Sequence, residues 1–209
     1  MKTLWRSDRA AALRRGLVLE YLSLGYNVLE AVAGFVFGVA AGSVALVGFA
    51  LDSVVEASSA SVLLWRLSGE RRNQARAEEL ERRAVRLIAA AFFALAAYVG
   101  VRSLLDLLTT ARPEESPAGI ALALVSVVVM PLLARHKRAA ARALDSRSLQ
   151  ADSRQTTLCT YLSAVLLVGL VANSLLGWWW ADPAAGLAIA AFAAREGLEL
   201  WRTEDFCCL

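Results

Sequence analysis

Apolar residues occur along this chain in six long segments that are separated by short polar stretches. Most segments approach the ~20 residues that an α-helix needs to cross the hydrocarbon core of a bilayer. The pattern therefore predicts an all-α, polytopic membrane protein with six transmembrane helices. The predicted helices cover residues 17–39, 43–67, 85–109, 119–133, 149–176 and 182–201.

Residues that break helices mark the connections between these segments. A tight turn at 40–42 is predicted to join the first two helices. Pro113 and Pro117 separate the third helix from the fourth, because proline lacks the backbone N–H that a helix interior needs. Asp182 followed by Pro183 predicts an N-cap and a first helical position for the sixth helix.

The positive charges are distributed very unequally between the two predicted sides of the membrane. Of the 22 lysines and arginines, all but Arg102 and Arg112 lie on one side. Because basic residues accumulate on the cytoplasmic side, we predict that both termini are cytoplasmic. The predicted domains are a basic N-terminal tail at 1–16, the six-helix membrane domain at 17–202 and a short cysteine-containing tail at 203–209.

Composition limits the remaining possibilities. With 58% hydrophobic residues and a mean hydropathy of +0.52, the chain leaves no room for a large soluble domain. The polar stretch 68–86 is predicted to be a solvated extension of the third helix rather than a separate amphipathic helix. His136, the one histidine, lies in a basic segment and cannot make a histidine-based metal centre. We predict no enzymatic activity and no nucleic-acid partner.

Two acids lie within the second apolar segment. Asp52 and Glu56 are four residues apart and therefore share one face of a helix. An ionised side chain in mid-membrane costs ~2.5–3.5 kcal/mol even on the lenient insertion scale. Two ionised acids also repel each other unless a cation or a proton lies between them. The pair therefore indicates a cation site, and the alternative is a protonated pair that helps helices to pack.

The fifth segment carries a polar stripe that could face these acids. Gln155 and Cys159 repeat the spacing of four residues, and Asp152 begins the same stripe. Two facing pairs would give a site with four ligands, and its oxygens and thiolate suit zinc or a neighbouring transition metal. The alternative is that Gln155 and Cys159 only fill space between helices.

Further polar residues accompany the site. Asn27 and Glu30 in the first helix are predicted to support the site or to carry protons, and the alternative is a hydrogen bond that packs helices. Glu20 and Glu196 lie near the ends of their segments, so we expect both to be partly solvated.

These residues resemble the cation diffusion facilitator family along essentially all six spans. The motifs that carry the resemblance are AGSVALVGFALDSVVEASSA, ADSRQTTLC and ADPAAGLAIA. The resemblance puts Asp52 and Glu56 at the family's two acidic ligand positions of the second helix. It puts Gln155 and Cys159 at the ligand positions of the fifth helix, where the family usually has histidine or aspartate followed by aspartate. Asp152 is a candidate for supplying the missing oxygen ligand.

The resemblance implies a homodimeric exporter in the cell (inner) membrane that exchanges a divalent cation, zinc in the first place, for protons. It implies no prosthetic group. The family's usual C-terminal cytoplasmic domain is expected to be absent, and Cys207 and Cys208 of the tail could capture metal in its place, could be lipidated or could have no role. The competing hypothesis is a membrane metal sensor or structural subunit that has the same fold and does not transport.

Overall fold

The computed structural model describes the backbone of residues 2–69, 74–110, 113–144 and 146–205. Side chains are described within these ranges except at 2–10, 66–69, 74–85, 87–88, 147–148, 151 and 203–205. Six helices account for most of the described chain, so the predicted all-α fold is confirmed. They are α1 (Lys2–Ala41), α2 (Val44–Gly69), α3 (Gln74–Thr109), α4 (Pro117–Leu144), α5 (Arg147–Leu176) and α6 (Ala181–Asp205).

Five of these helices contain stretches that are long and apolar enough to cross a membrane. The stretches are Ala11–Ala41, Val44–Trp65, Ala89–Thr109, Pro117–Leu144 and Asp152–Leu176. Large apolar side chains such as Leu29, Leu108 and Leu175 are exposed on the outside of the bundle, where lipid would surround them. The sixth crossing, by α6, stays a prediction.

Several helices extend well beyond the predicted spans. Helix α1 includes most of the 1–16 segment that we predicted to be a tail, and α3 includes 74–84, as expected of a helical extension. Helix α4 continues from its predicted end at residue 133 to Leu144 and passes through Pro131. Hydropathy indicates where a helix leaves the bilayer, whereas arginine, lysine and alanine propagate a helix readily beyond that point.

Helix α2 lies at the centre of the packing. The most extensive pairings are α1 with α2, α3 with α6 and α4 with α5, and α2 also contacts α3, α5 and α6. Buried Leu46 and Phe49 of α2 pack with Leu166 of α5 and Ile189 of α6 in one core cluster. Polar residues on α2 can therefore meet partners on several helices.

Small residues bring α1 and α2 unusually close together. A Cβ atom added to Gly34 would lie 2.9 Å from the Cβ of Ala50, and one added to Gly38 would lie 2.9 Å from the backbone nitrogen of Val47. The connecting turn uses Gly42, whose φ of 63° is in the left-handed region that favours glycine. The two helices therefore form a hairpin with closely packed backbones, as small residues permit in membrane proteins.

Asp182 has a different partner from the one predicted. It lies in the first turn of α6, but its carboxylate accepts hydrogen bonds from Val44 N at 3.1 Å and Ala45 N at 3.4 Å, and one from the Ser43 hydroxyl. Asp182 therefore caps the N-terminus of α2. A carboxylate stabilises a helix there because it accepts hydrogen bonds from the free backbone amides and interacts favourably with the helix dipole. Sequence spacing could not identify a partner so far away in the chain.

Candidate cation site

Helices α2 and α5 bring two acids and a thiol together inside the bundle. The Sγ of Cys159 lies 3.0 Å from Oδ2 of Asp52 and 2.7 Å from Oε2 of Glu56. Cys159 is 3% exposed, Asp52 4% and Glu56 0%. We call Asp52, Glu56 and Cys159 the acid–thiol cluster.

Thr156 adds a hydroxyl to this cluster. Its Oγ1 donates a hydrogen bond to Oε1 of Glu56 at 2.7 Å, and Thr156 itself is fully buried. It lies three residues before Cys159 and therefore projects from the same side of α5. Thr156 was not singled out from the sequence; its position in the polar stripe of α5, three residues before Cys159, is the signal that could have identified it.

The acid–thiol cluster has more proton acceptors than its own protons can satisfy. A thiol carries one proton, so Cys159 can donate to only one of the two carboxylates at a time. Further protons or a cation must therefore compensate the remaining negative charge in the dry interior. Protons and metal cations are both chemically suited to the site, because the same oxygen and sulfur atoms bind either of them.

The spacing of these atoms is close to that of a zinc centre. Tetrahedral zinc with bonds of 2.0–2.3 Å separates its ligand atoms by about 3.5 Å. The observed contacts of 2.7 and 3.0 Å would have to open by less than ~1 Å to reach that separation. In the part of the chain that the structure describes, no three such side chains form a ready-made metal centre. The cluster is closed by its own hydrogen bonds.

Two of the predicted ligands do not join the cluster. The Nε2 atom of Gln155 is buried and has no hydrogen-bond partner among the described residues. Asp152 instead contacts Lys137, with 2.6 Å between Oδ2 and Nζ. Asp152 lies seven residues before Cys159, which corresponds to ~10 Å along a helix. The cluster is thus built from Asp52, Glu56 and Cys159, and their role as metal ligands stays a prediction.

Lys137 and Glu20 occupy positions that the sequence did not indicate. Lys137 was among the basic residues predicted to lie on the cytoplasmic side, and Glu20 was predicted to be partly solvated, but both are fully buried. The Nζ of Lys137 lies 3.3 Å from Oε2 of Glu20. The solvation prediction for Glu20 was wrong because α4 extends past its predicted end and covers this part of α1.

Asn27 and Glu30 lie on α1, and among the described residues neither is hydrogen-bonded to Cys159. Glu30 is buried beside the hydroxyls of Ser53, at 2.8 Å, and of Ser126. The Nδ2 of Asn27 lies 3.5 Å from Oγ of Ser23 within the same helix. Glu30 is therefore held by hydroxyl donors from α2 and α4, and its proton-carrying role stays a prediction.

The other predicted features lie at the periphery. His136 is exposed on α4 and its Nδ1 lies 2.9 Å from the carbonyl oxygen of Leu132. Glu196 is half-buried, in keeping with partial solvation. Cys207 and Cys208 lie outside the described residues.

Comparison with known proteins identifies the family. The model of the cation efflux transmembrane domain matches residues 21–204. The chain belongs to the cation efflux family. The resemblance drawn from the motifs is thereby confirmed, and the matched range includes Asp52, Glu56 and Cys159.

Three relatives illustrate the breadth of the cation efflux match. Transmembrane protein 163 of Xenopus laevis is 25% identical over 190 residues, which is 90% of this chain and 66% of the relative. An uncharacterized transporter of Synechocystis is 28% identical over 193 residues, 89% of this chain and 62% of the relative. The cation-efflux pump FieF of Shewanella oneidensis is 30% identical over 108 residues, 52% of this chain and 35% of the pump. The chain thus spans at most 66% of the length of these relatives.

Proposed function

We propose that this chain exports a divalent transition-metal cation across the cell membrane in exchange for protons, and that zinc is the first candidate for this cation. The acid–thiol cluster is the proposed transport site. The observation that carries the proposal is the meeting of Asp52, Glu56 and Cys159 in one buried cluster between two helices. Membership of the cation efflux family supports a cation as the cargo.

The donor atoms of the cluster explain why a transition metal is the proposed cargo. Carboxylate oxygen and thiolate sulfur are both ligands that zinc accepts, whereas magnesium and calcium favour oxygen alone. A divalent ion would also neutralise negative charge that is costly inside the membrane. Thr156 bonds to one oxygen of the Glu56 carboxylate and Cys159 to the other, which fixes the orientation of the carboxylate.

Exchange for protons follows from competition at the same atoms. A metal ion binds the deprotonated forms of Asp52, Glu56 and Cys159, so its entry from the cytoplasm releases protons. When the site opens to the other side, protonation of the same groups weakens the hold on the metal. Binding of either ligand therefore shifts the site between its two accessible states. The exporter is proposed to act as a homodimer with both termini in the cytoplasm, as the family resemblance and the arginine distribution imply.

The decisive experiment measures Zn²⁺ uptake and the accompanying pH change in proteoliposomes that contain the full chain. Asp52→Asn and Glu56→Gln should each abolish metal-dependent proton flux, because each removes an ionisable group of the cluster. Glu199→Gln is the matched control, since Glu199 pairs with Arg195 at an exposed position. Normal flux in Asp52→Asn would remove the proposed role of the cluster.

The same experiment separates the competing hypothesis. The cluster has three acidic or thiol side chains, and Gln155 does not hydrogen-bond to them. A metal sensor or structural subunit could use such a site without transport. A purified chain that binds Zn²⁺ through Asp52 and Glu56 but moves none across the bilayer would favour that hypothesis.

A further inference from the structure

A second buried cluster of charges lies beside the acid–thiol cluster, and the transport mechanism above makes no use of it. Glu20 on α1, Lys137 on α4 and Asp152 on α5 meet in the interior with exposures of 0%, 0% and 4%. The ammonium of Lys137 lies 2.6 Å from Oδ2 of Asp152 and 3.3 Å from Oε2 of Glu20. We call Glu20 and Asp152 the lysine-bridged pair.

One ammonium does not satisfy this pair. Lys137 donates hydrogen bonds to Asp152 and, at 3.4 Å, to the hydroxyl of Thr156. Both carboxylate oxygens of Glu20 and the Oδ1 of Asp152 are buried and lack a hydrogen-bond partner among the described residues. Buried carboxylate oxygens without donors are costly, and two carboxylates, when both are ionised, carry twice the charge of one lysine. The pair therefore has negatively ionisable groups, and oxygen atoms without hydrogen-bond donors, that suit the binding of a divalent cation.

The lysine-bridged pair is connected to the acid–thiol cluster through Thr156. The Thr156 hydroxyl lies 3.4 Å from Nζ of Lys137 and 2.7 Å from Oε1 of Glu56. Asp152 precedes Cys159 by seven residues, or ~10 Å along α5. It lies toward the end of α5 that the arginines predict to be cytoplasmic. A continuous polar route therefore leads from Glu20 and Asp152 to Glu56.

A purely structural ion pair is the competing explanation. Such a pair normally matches its charges and satisfies its remaining polar atoms with hydrogen bonds. Here two carboxyl groups face one ammonium, and Glu20 lies within ion-pair distance of Lys137 but lacks a hydrogen bond among the described residues. The two-to-one ratio of carboxyl groups to ammonium and the three buried oxygens without a hydrogen-bond donor favour a binding site over a purely structural ion pair.

We propose that Glu20 and Asp152 form a second site for a divalent cation, and that the ammonium of Lys137 takes the place of that ion when none is bound. The proposal rests on the proposed function in one respect, namely that the ion in question is the exported one. An entering ion displaces the ammonium, which is carried on a flexible four-carbon stem. The ion then has an intermediate position before the acid–thiol cluster.

Counting bound ions in the purified full-length chain tests this proposal. At Zn²⁺ concentrations that saturate only the tight binding of the wild-type chain, Lys137→Met should bind one additional ion per chain by calorimetric titration. Methionine keeps much of the length of the side chain and removes the competing charge. The additional ion should disappear in Lys137→Met/Glu20→Gln, whereas Lys137→Arg, which keeps the charge, should match the wild type.

Two results would overturn the second site. One is a well-folded Lys137→Met chain that binds no more Zn²⁺ than the wild type. The other is a Lys137→Met chain that fails to fold even when Zn²⁺ is present, while Lys137→Arg folds. Glu20 and Asp152 would then accept only the cationic side chain of a lysine or arginine and not a metal ion. If Lys137→Met is unstable without metal, Zn²⁺ should raise its melting temperature more than that of the wild type.

Failure of the proposed function leads to a different pattern. A wild-type chain that moves no Zn²⁺ in proteoliposomes would refute export, but the additional ion in Lys137→Met would still be present. Conversely, normal export together with an unchanged ion count would refute only the second site.

Discussion

Cys159 carries the softest donor atom of the acid–thiol cluster and contacts both acids of α2. Thiolate sulfur favours zinc and other soft or borderline ions, whereas carboxylate and hydroxyl oxygens favour harder ions. In the proposed transport site, the identity of this one atom should therefore influence which metal is preferred, while Asp52 and Glu56 would provide the charge that holds any divalent ion.

Replacing Cys159 with serine tests this division of roles. Cys159→Ser should shift the preference in proteoliposome flux from Cd²⁺ and Zn²⁺ toward Mn²⁺, with a change of roughly tenfold in the Cd²⁺ to Mn²⁺ ratio, because an oxygen replaces the sulfur. Ser163→Ala is a suitable control, since the Ser163 hydroxyl bonds to the carbonyl oxygen of Cys159 and not to the acids. An unchanged metal preference in Cys159→Ser would show that the sulfur is not a ligand.

At this scale the sequence located part of the candidate site. Helical spacing put Asp52 and Glu56 on one face, and the polar stripe of α5 included Cys159. The same reasoning missed Lys137, because a lysine inside ARHKRAAAR has the local environment of a solvated basic segment. Its burial depends on how α4 lies against α1 and α5, which is a property of tertiary packing rather than of local pattern.

The elements themselves were easier to predict than their ends. Long apolar stretches indicated every helix, and Gly42 indicated the turn between α1 and α2. The extensions of α1, α3 and α4 beyond the apolar stretches were only partly foreseen, since charged and alanine-rich residues continue a helix without any apolar periodicity. The use of Asp182 as the cap of α2 was missed because capping there involves two distant elements.

The close approach of α1 and α2 leads to a stability prediction. Gly38→Ala should destabilise the chain by about 1–3 kcal/mol and lower its melting temperature in detergent. The added Cβ would lie 2.8 Å from Cγ2 and 2.9 Å from the backbone nitrogen of Val47. Gly25→Ala on the same helix is the control. It has nothing within 4 Å and should stabilise the chain by about 0.5–1 kcal/mol, since alanine favours the helix. Equal stability of the two variants would contradict the close packing at Gly38.

The whole molecule combines an apolar outer surface with polar clusters that lie inside the bundle. Its basic residues are concentrated at one end of the predicted spans, with Arg102 as the described exception. Two tryptophans at the opposite end, Trp178 and Trp180, stack with 5.2 Å between ring centroids and are about half exposed. Such aromatic residues are typical of membrane interfaces. The overall charge distribution therefore predicts the orientation of the molecule.

Protease protection of short epitope tags can test that orientation. Tags at both termini should be digested in inside-out vesicles and protected in right-side-out vesicles, because basic segments remain cytoplasmic. A tag inserted after Trp179 should show the opposite behaviour. Digestion of either terminal tag from the outside would contradict the predicted topology.

The pairing of Lys137 with Asp152 also bears on the biosynthesis of the protein. Helix α4 alone would take an ammonium into the bilayer, and α5 alone would take a carboxylate, at a cost of up to ~2.5–3.5 kcal/mol each on the insertion scale. The two residues lie on consecutive helices and are only 15 residues apart in the chain. Because they neutralise each other, we expect α4 and α5 to enter lipid more favourably as one preassembled hairpin than as two separate helices.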